Sequence, residues 1–320
     1  MHIAEGILPL THAAAWSAVS APLLAVGARR FLGARRTASA DRRVLLGMAG
    51  ALTFAFTLFP VPVPVAGATS HMCATPVLAL LVGAPAMVVP AAITLLLQAL
   101  FFAHGGLTPL GANVLTLGVV GPWVGWAVAR AARRAGASAG FAVALACGVA
   151  DLAVYAADAV ILALALSGER GFGAWFGSLA LAFAPTQVPL ALIEALLSAG
   201  LIRALARRRP DLVPSWLNAT RMAAPRSSAV PAALLAAVIW AAPAGPAAAE
   251  ERFLGLDETV IEAAGAAGGR PATGPVLDVE QGDLLLFVFS LGTFVAGVVV
   301  GVSWTRLTRS VDGVEASRAS

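Results

Sequence analysis

The sequence predicts an all-α polytopic membrane protein, with about seven transmembrane helices in its first 210 residues and a two-helix transmembrane hairpin after them. Of its 320 residues, 59% are hydrophobic and only 12% are charged, and the mean hydropathy is +0.86. Soluble domains carry roughly 25% charged residues. The apolar residues form runs close to the roughly 20 residues that a helix needs to cross a bilayer, and clusters of arginine separate these runs.

The first two spans set the orientation of the chain. The first runs from about Pro9 to Ala28, and six arginines follow it between residues 29 and 43. Because basic residues mark the cytoplasmic side, we expect this loop inside the cell and the N-terminus outside. The second span, about Val44 to Phe59, returns the chain to the outer face at the proline-rich stretch 60–64. His71 is therefore expected on the same face as the N-terminus.

The stretch from Pro76 to Phe102 has to cross the membrane an even number of times. The next span, Leu110 to Ala129, precedes three arginines between residues 130 and 134, so it runs inward and begins outside. The 27 residues from Pro76 to Phe102 are too few for two full spans. We therefore predict a tight pair of short or broken helices that turns at residues 83–85.

Two further spans carry carboxylates. Span six runs from about Phe141 to Leu166 and span seven from about Phe176 to Leu205, and Asp151, Asp158 and Glu194 lie within them. Asp151 and Asp158 are seven residues apart and share a helix face, which favours an interior position. An intramembrane polar path for protons or ions and a structural hydrogen-bonding role both remain open.

The basic residues exclude two classes of function. All 21 are arginine, and a phosphate-binding P-loop requires a lysine, so the chain carries no Walker-type ATPase site. The arginines lie in short clusters between apolar runs, which indicates membrane orientation rather than nucleic-acid binding. The two cysteines, Cys73 and Cys147, do not suggest a disulfide framework, and no cleavable signal peptide is evident.

The first two residues form a candidate metal chelate. A free Met1-His2 terminus offers the α-amine of Met1, the amide nitrogen of His2 and its imidazole Nδ1, which close a five-membered and a six-membered ring. Such planar nitrogen donors suit Ni(II), Cu(II) and some Co(II) states. We expect His71 to supply the fourth in-plane nitrogen. The competing interpretation is that a histidine stands at position 2 by chance.

Three stretches together carry a family resemblance: residues 1–9 (MHIAEGILP), the loop from Gly67 to His71, and residues 104–113 (HGGLTPLGAN). They resemble the CbiM/NikM-type substrate-capture components of cobalt and nickel energy-coupling-factor (ECF) transporters, over residues 1–210. The resemblance implies a metal site made by Met1, His2 and His71. It also implies that the loop 104–113 packs around this site.

The resemblance extends to residues that support the ligands. The candidates for contacting the ligands, rather than the metal itself, are His104, Asn113 and Ser70. After His71 the sequence has fewer glycines than the family pattern, so the resemblance does not determine the local loop geometry. Cys73, two residues after His71, is either a soft additional donor or a small buried thiol.

The last third is predicted to be a second module. Residues 211–229 form a polar linker, and residues 230–320 contain spans from about Val230 to Ala247 and from about Leu284 to Trp304. Eight acidic residues lie between positions 250 and 283, in the predicted outer loop. This hairpin resembles the small CbiN/NikN-like two-span auxiliary subunit of the same transporters. Its acidic loop either concentrates cations or is simply solvated.

These observations predict a multi-pass protein of the bacterial inner membrane that is not an enzyme. It would bind Co(II) or Ni(II) outside and deliver it inward, with a transmembrane coupling protein and two ATPase subunits as partners implied by the resemblance. Membrane lipid is expected as a partner, and nucleic acid is not. The alternatives are a stand-alone proton-coupled metal transporter and an intramembrane metalloenzyme. The metalloenzyme is disfavoured because the sequence has no His-Glu-x-x-His spacing.

Overall fold

The computed structural model describes residues 2–58, 61–63, 68–102, 104–168, 170–217, 264–268 and 283–318. The chain is helical, with one small antiparallel hairpin in which Val61 pairs with Ser70 and Val63 with Ala68. Its elements are, in order, α1 (Leu10–Thr37), α2 (Ala40–Thr57), β1 (Val61–Val63), β2 (Ala68–Ser70), α3 (Thr75–Val82), α4 (Ala84–Phe101), α5 (Leu110–Asn113), a π-helical segment (Val114–Val120), α6 (Gly121–Arg134), α7 (Ala139–Leu166), α8 (Gly171–Arg208) and α9 (Asp283–Arg318).

The predicted fold class, an all-α polytopic membrane protein, is confirmed. Six helical stretches in the described part of the chain are long and apolar enough to cross a bilayer. The predicted second span forms α2, whose 18 residues include Asp41, Arg42 and Arg43 in the first turn. These charges shorten its apolar length, so α2 is not among the six.

The predicted boundary of the first span is wrong. Helix α1 continues to Thr37, nine residues past the expected end at Ala28, and Arg35 and Arg36 form its last turn. Arginine is a good helix former, and its long side chain can reach away from an apolar surface. The connection to α2 is therefore only residues 38 and 39.

The predicted helix pair between Pro76 and Phe102 is present as α3 and α4, but only α3 is short, since the 18 residues of α4 are enough to cross a bilayer. They meet at Gly83, whose φ of +96° lies in the region that favours glycine. Helix α3 has only eight residues, and its apolar side chains are almost all buried. It cannot span a bilayer alone, and it is covered by protein rather than lipid.

The predicted span from Leu110 is continuous to Arg134 but not regular. Seven residues from Val114 to Val120 are π-helical. The Thr75 hydroxyl, in the first turn of α3, donates to the carbonyl of Leu117 within this segment at 2.9 Å. Wider π-helical turns often occur near functional sites, and this one packs α3 against the centre of the span.

The C-terminal third contributes α9, which packs against α2. The Phe102 ring lies 5.6 Å from the Phe54 ring and 5.4 Å from the Phe289 ring of α9. At the other end of α9, Arg209 donates to the carbonyl of Leu307 at 2.7 Å. Residues 210–217 form two short 3-10 turns with Leu212 and Leu217 buried. The predicted span Val230–Ala247 lies outside the described residues, as does most of the acidic loop, and the division into modules remains a prediction.

Candidate metal centre

The N-terminal segment is inserted into the protein rather than lying on its surface. Ile3 and Leu8 are almost completely buried. They pack into an apolar cluster with Ala159 and Leu162 near the end of α7 and with Trp175 of α8. Such burial of two large side chains contributes roughly 1.5–3 kcal/mol each. The hydrophobic effect therefore holds the segment beside His2.

The loop 104–113 clamps this segment through backbone and side-chain hydrogen bonds. Asn113 accepts from the Ile3 N–H through Oδ1 at 2.8 Å and donates to the Ile3 carbonyl through Nδ2 at 3.1 Å. Glu5 donates from its backbone N–H to the Gly105 carbonyl at 3.2 Å, and its carboxylate accepts from both the N–H and the hydroxyl of Thr108. The motif HGGLTPLGAN thus functions as the partner of residues 3–5.

The fold requires a glycine at position 106 of this motif. A Cβ placed on it would lie 2.8 Å from both the N and the Cα of Glu5. No side chain can be accommodated at such distances without moving the backbone. The glycine is therefore required for the close approach of two chains.

His2 is held in the tautomer that a chelate requires. Its Nε2 lies 3.1 Å from Oε1 of Gln98 in α4, and the Gln98 amide donates through Nε2 to the Thr57 hydroxyl at 2.7 Å. Because the amide oxygen faces His2, the imidazole Nε2 carries the hydrogen and donates it. The lone pair is then on Nδ1, which is the nitrogen that the sequence predicts as a metal donor.

His71 is fixed at both its backbone and its ring. The Tyr155 hydroxyl accepts from the His71 N–H at 2.9 Å and donates to the His71 carbonyl at 3.0 Å. The ring Nδ1 lies 3.1 Å from the Met72 carbonyl, to which it donates. This tautomer has its lone pair on Nε2, the second nitrogen needed for a metal.

These two imidazoles and His104 form one cluster, which we call the histidine centre. The His2 ring centroid lies 4.6 Å from that of His71 and 4.8 Å from that of His104. One ring nitrogen from each lies within 4.8 Å of the other two. Met1, the third predicted ligand, lies outside the described residues.

Burial keeps the histidine centre uncharged. It lowers the pKa of His104 to about 4 and the pKa of His2 and His71 well below the usual 6.5, with further lowering from nearby positive groups. The rings are therefore neutral at pH 7, which is the form that binds metal. His104 Nε2 is buried and has no hydrogen-bond partner in the part of the chain that the structure describes.

The three predicted supporting residues lie in different positions. His104 contacts both other imidazoles directly. Asn113 acts on the centre through Ile3. Ser70 directly precedes His71, and its hydroxyl contacts the Tyr155 hydroxyl and the side chain of Gln187 in α8.

The predicted polar path is divided by the fold. Asp151 and Glu194 lie together with Cys73, apart from the histidine centre. Asp158 is fully buried, and neither of its carboxylate oxygens has a hydrogen-bond partner within the described ranges. No chain of hydrogen bonds between Asp158 and the other two carboxylates occurs among the described residues, so these groups remain candidates without an established role.

Sequence reasoning missed Gln98, Tyr155 and Glu5. Gln98 is one of only two polar residues in the apolar helix α4, and Tyr155 is the only tyrosine of the chain. Either fact could have marked them, because an isolated polar group in an apolar helix needs a partner. Glu5 stood within the opening motif, but its partner Thr108 became evident only from the fold.

Comparison with known proteins places these features in a family. Residues 2–212 match the model of the CbiM family, described as the cobalt uptake substrate-specific transmembrane region. The Geobacter sulfurreducens protein named cobalt transport protein CbiM is 42% identical over 96% of this chain and 90% of its own length. The Sorangium cellulosum protein of the same name is 44% identical over 67% of this chain and 94% of its own.

Solved structures agree on the fold. A crystal structure described as a truncated transition metal transporter covers 65% of this chain and 99% of its own, with a TM-score of 0.57 and 23% identity. The family model and the relatives show that the chain is also similar in sequence to these proteins. The relatives are named cobalt transport proteins, so they are transporters rather than enzymes. The chain is a multi-pass membrane protein with a metal-transport role, and it belongs to the CbiM family.

Proposed function

We propose that this chain captures Co(II) at the extracytoplasmic face of the bacterial inner membrane and delivers it inward as the substrate-binding component of an ATP-driven ECF transporter. Cobalt is favoured over nickel because the family description and the related proteins name cobalt. Nickel is chemically close enough to serve as a competitor in the same site.

The observation that carries the proposal is the pair of imidazole tautomers. Gln98 binds Nε2 of His2, and the Met72 carbonyl binds Nδ1 of His71. The remaining ring nitrogens are the two that a chelate closed by the Met1 amine and the His2 amide needs. A site prepared in this way binds a metal without first reorganising its ligands.

The distribution of arginines between the two ends of the helices supports this orientation. The last turns of α1, α6 and α8 carry arginine pairs, at 35–36, 133–134 and 207–208. The histidine centre lies near the opposite ends, where α1 begins and α7 finishes. The positive-inside rule therefore favours an extracytoplasmic centre.

Energy for transport would come from other chains. The sequence has no lysine for a P-loop, so we propose a complex with a transmembrane coupling protein and two ATPase subunits. The exposed apolar surface of α8, which includes Leu181, Val188 and Leu192, faces lipid or such a partner.

Cobalt uptake into proteoliposomes tests the proposal. Vesicles that contain this chain together with its coupling and ATPase subunits should accumulate cobalt only with ATP, and His2→Ala should abolish accumulation. Accumulation by this chain alone, driven by a proton gradient, would contradict the proposal and support the stand-alone transporter.

A further inference from the structure

A second group of metal-binding side chains lies outside the histidine centre. Cys73, Asp151 and Glu194 are each at most 1% exposed, and one ligand atom from each lies within 4.8 Å of the other two. We call this group the inner cluster. Its members come from three places in the fold, which are the loop before α3, the middle of α7 and the middle of α8.

The inner cluster brings two carboxylates together in a buried place. Both oxygens of Glu194 accept backbone hydrogen bonds, from Cys73 N–H at 2.7 Å and Ala74 N–H at 2.8 Å. Asp151 accepts from the Gln187 amide through Oδ2. Asp151 Oδ1 is buried and has no hydrogen-bond partner among the residues described. A proton neutralises such a pair of buried carboxylates in the absence of metal, and a divalent cation that replaces this proton would satisfy both groups.

The donor set indicates which cation would fit. Two carboxylates supply hard oxygen donors, and the cysteine supplies a soft sulfur donor. Sulfur excludes Ca²⁺ and Mg²⁺ as preferred ions, and mixed sulfur and oxygen ligands suit a divalent transition metal such as Co(II) or Zn(II).

The backbone around the inner cluster is held in an unusual conformation. Ala74, directly after Cys73, has a φ of +56°, and it is the only non-glycine residue in the described ranges with positive φ. Such a conformation costs of order 1–3 kcal/mol and persists only where the surroundings enforce it. Here the Thr75 N–H donates to the Cys73 carbonyl across Ala74 at 2.7 Å, and the Glu194 carboxylate binds the N–H groups of Cys73 and Ala74 beside this turn.

The position of the inner cluster relates it to the histidine centre. Tyr155, which binds the His71 backbone, lies in α7 one turn from Asp151, a rise of about 6 Å. Asp151 is on the side toward Ala139, where α7 starts beside the arginines that end α6. A cavity of about 220 Å³ borders Glu194 and extends along α8 to Leu201, further in the same direction.

We propose that Cys73, Asp151 and Glu194 form a second metal site, which takes a divalent transition metal ion on its way from the histidine centre toward the arginine-rich face. The ion binds the two carboxylates and the Cys73 thiolate, and the thiol proton is released to water. The transfer role rests on the proposed function, whereas the existence of the site does not.

Cobalt titration of the purified full-length chain with its native N-terminus tests this site. Cobalt bound to thiolate gives a charge-transfer absorption in the near ultraviolet, which nitrogen ligands do not give. The wild-type protein should bind two ions, one of them with this absorption. Cys73→Ser should lose the absorption and retain one ion. The matched control Cys147→Ser removes the other buried cysteine, one turn from Asp151 in α7, and should leave both ions and the absorption unchanged.

Two further variants separate the site from folding defects and from the histidine centre. Asp151→Asn removes a ligand and keeps the cysteine, so the affinity for the second ion should fall by more than the roughly 10- to 100-fold typical of supporting residues. His2→Ala should lose one ion and keep the thiolate absorption. A single bound ion without thiolate absorption in the wild type, lost in His2→Ala, would overturn the second site and leave the proposed function standing. Two bound ions in His2→Ala, one of them with the thiolate absorption, would support the second site and contradict the role of His2 in the proposed function.

Discussion

The Asn113 clamp gives the most quantitative test of the histidine centre. In Asn113→Ala the two hydrogen bonds to Ile3 are lost, and the N–H and carbonyl of that residue stay buried without a partner. A net loss of about 1 kcal/mol per bond, together with the cost of leaving the Ile3 N–H and carbonyl buried and unpaired, gives about 2–3 kcal/mol. If this energy holds residues 2–4 in the chelating position, the dissociation constant for cobalt rises about 30- to 150-fold, since about 1.4 kcal/mol is tenfold.

Competition titration with a chelator of known affinity measures this change. Both proteins should carry Cys73→Ser so that the histidine centre alone is followed. Thr53→Val is the matched control, because its buried hydroxyl donates only within its own helix, to the Ala49 carbonyl at 2.9 Å. The control should bind cobalt normally. An Asn113→Ala protein that is folded and binds cobalt within twofold of its parent would refute the clamp.

Three other outcomes follow from the same structure. Gly106→Ala places a Cβ against the Glu5 backbone, so it should weaken cobalt binding as strongly as Asn113→Ala; unchanged affinity would show that the loop does not position the N-terminus. Arg209→Gln removes charge-assisted bonds to Asp41 and Asp211 and the bond to Leu307, so the midpoint of thermal unfolding should fall and α9 should become more sensitive to protease, in contrast to the exposed Arg207→Gln. The pKa of His104 is lowered by burial to about 4, below the roughly 6.5 of the unfolded chain, so the unfolded state binds more protons between these values. The free energy of unfolding of the metal-free protein should therefore fall as pH drops from about 6.5 toward 4, by about 3 kcal/mol for this residue alone, and a thermal midpoint equal at pH 7.5 and 5 would contradict it.

The sequence predicted the parts of the fold that hydropathy and charge determine. Counting crossings between arginine clusters indicated that two helices had to fit between Pro76 and Phe102, and α3 and α4 lie there, although only α3 is short. The same method misplaced the end of α1, because arginines can continue a helix as well as follow it. The π-helical segment from Val114 to Val120 has no comparable signal, since it depends on the contact of Leu117 with Thr75.

The candidate ligands were predictable from the sequence, as were the neighbouring residues His104 and Asn113, whereas other supporting residues were not. His2, His71 and the loop 104–113 could be chosen from short motifs, and they do lie together. Gln98 sets the tautomer of His2 from 96 residues away, and Tyr155 holds His71 from 84 residues away. Such long-range partners are determined by helix packing, which a single sequence does not reveal. For the same reason the meeting of Cys73 with Asp151 and Glu194 was not predicted.

Cobalt binding by a chain extended by one residue before Met1 tests the central claim most directly. The extension keeps His2, His71 and every described contact, but it converts the Met1 amine into an amide and moves the free amine out of the chelate. In the Cys73→Ser background, the extended protein should bind no cobalt at the histidine centre, as should His2→Ala. A tag of the same length after Ser320 should leave binding unchanged. Undiminished binding by the N-terminally extended protein would show that the terminal amine is not a ligand and that His2 does not form the proposed chelate.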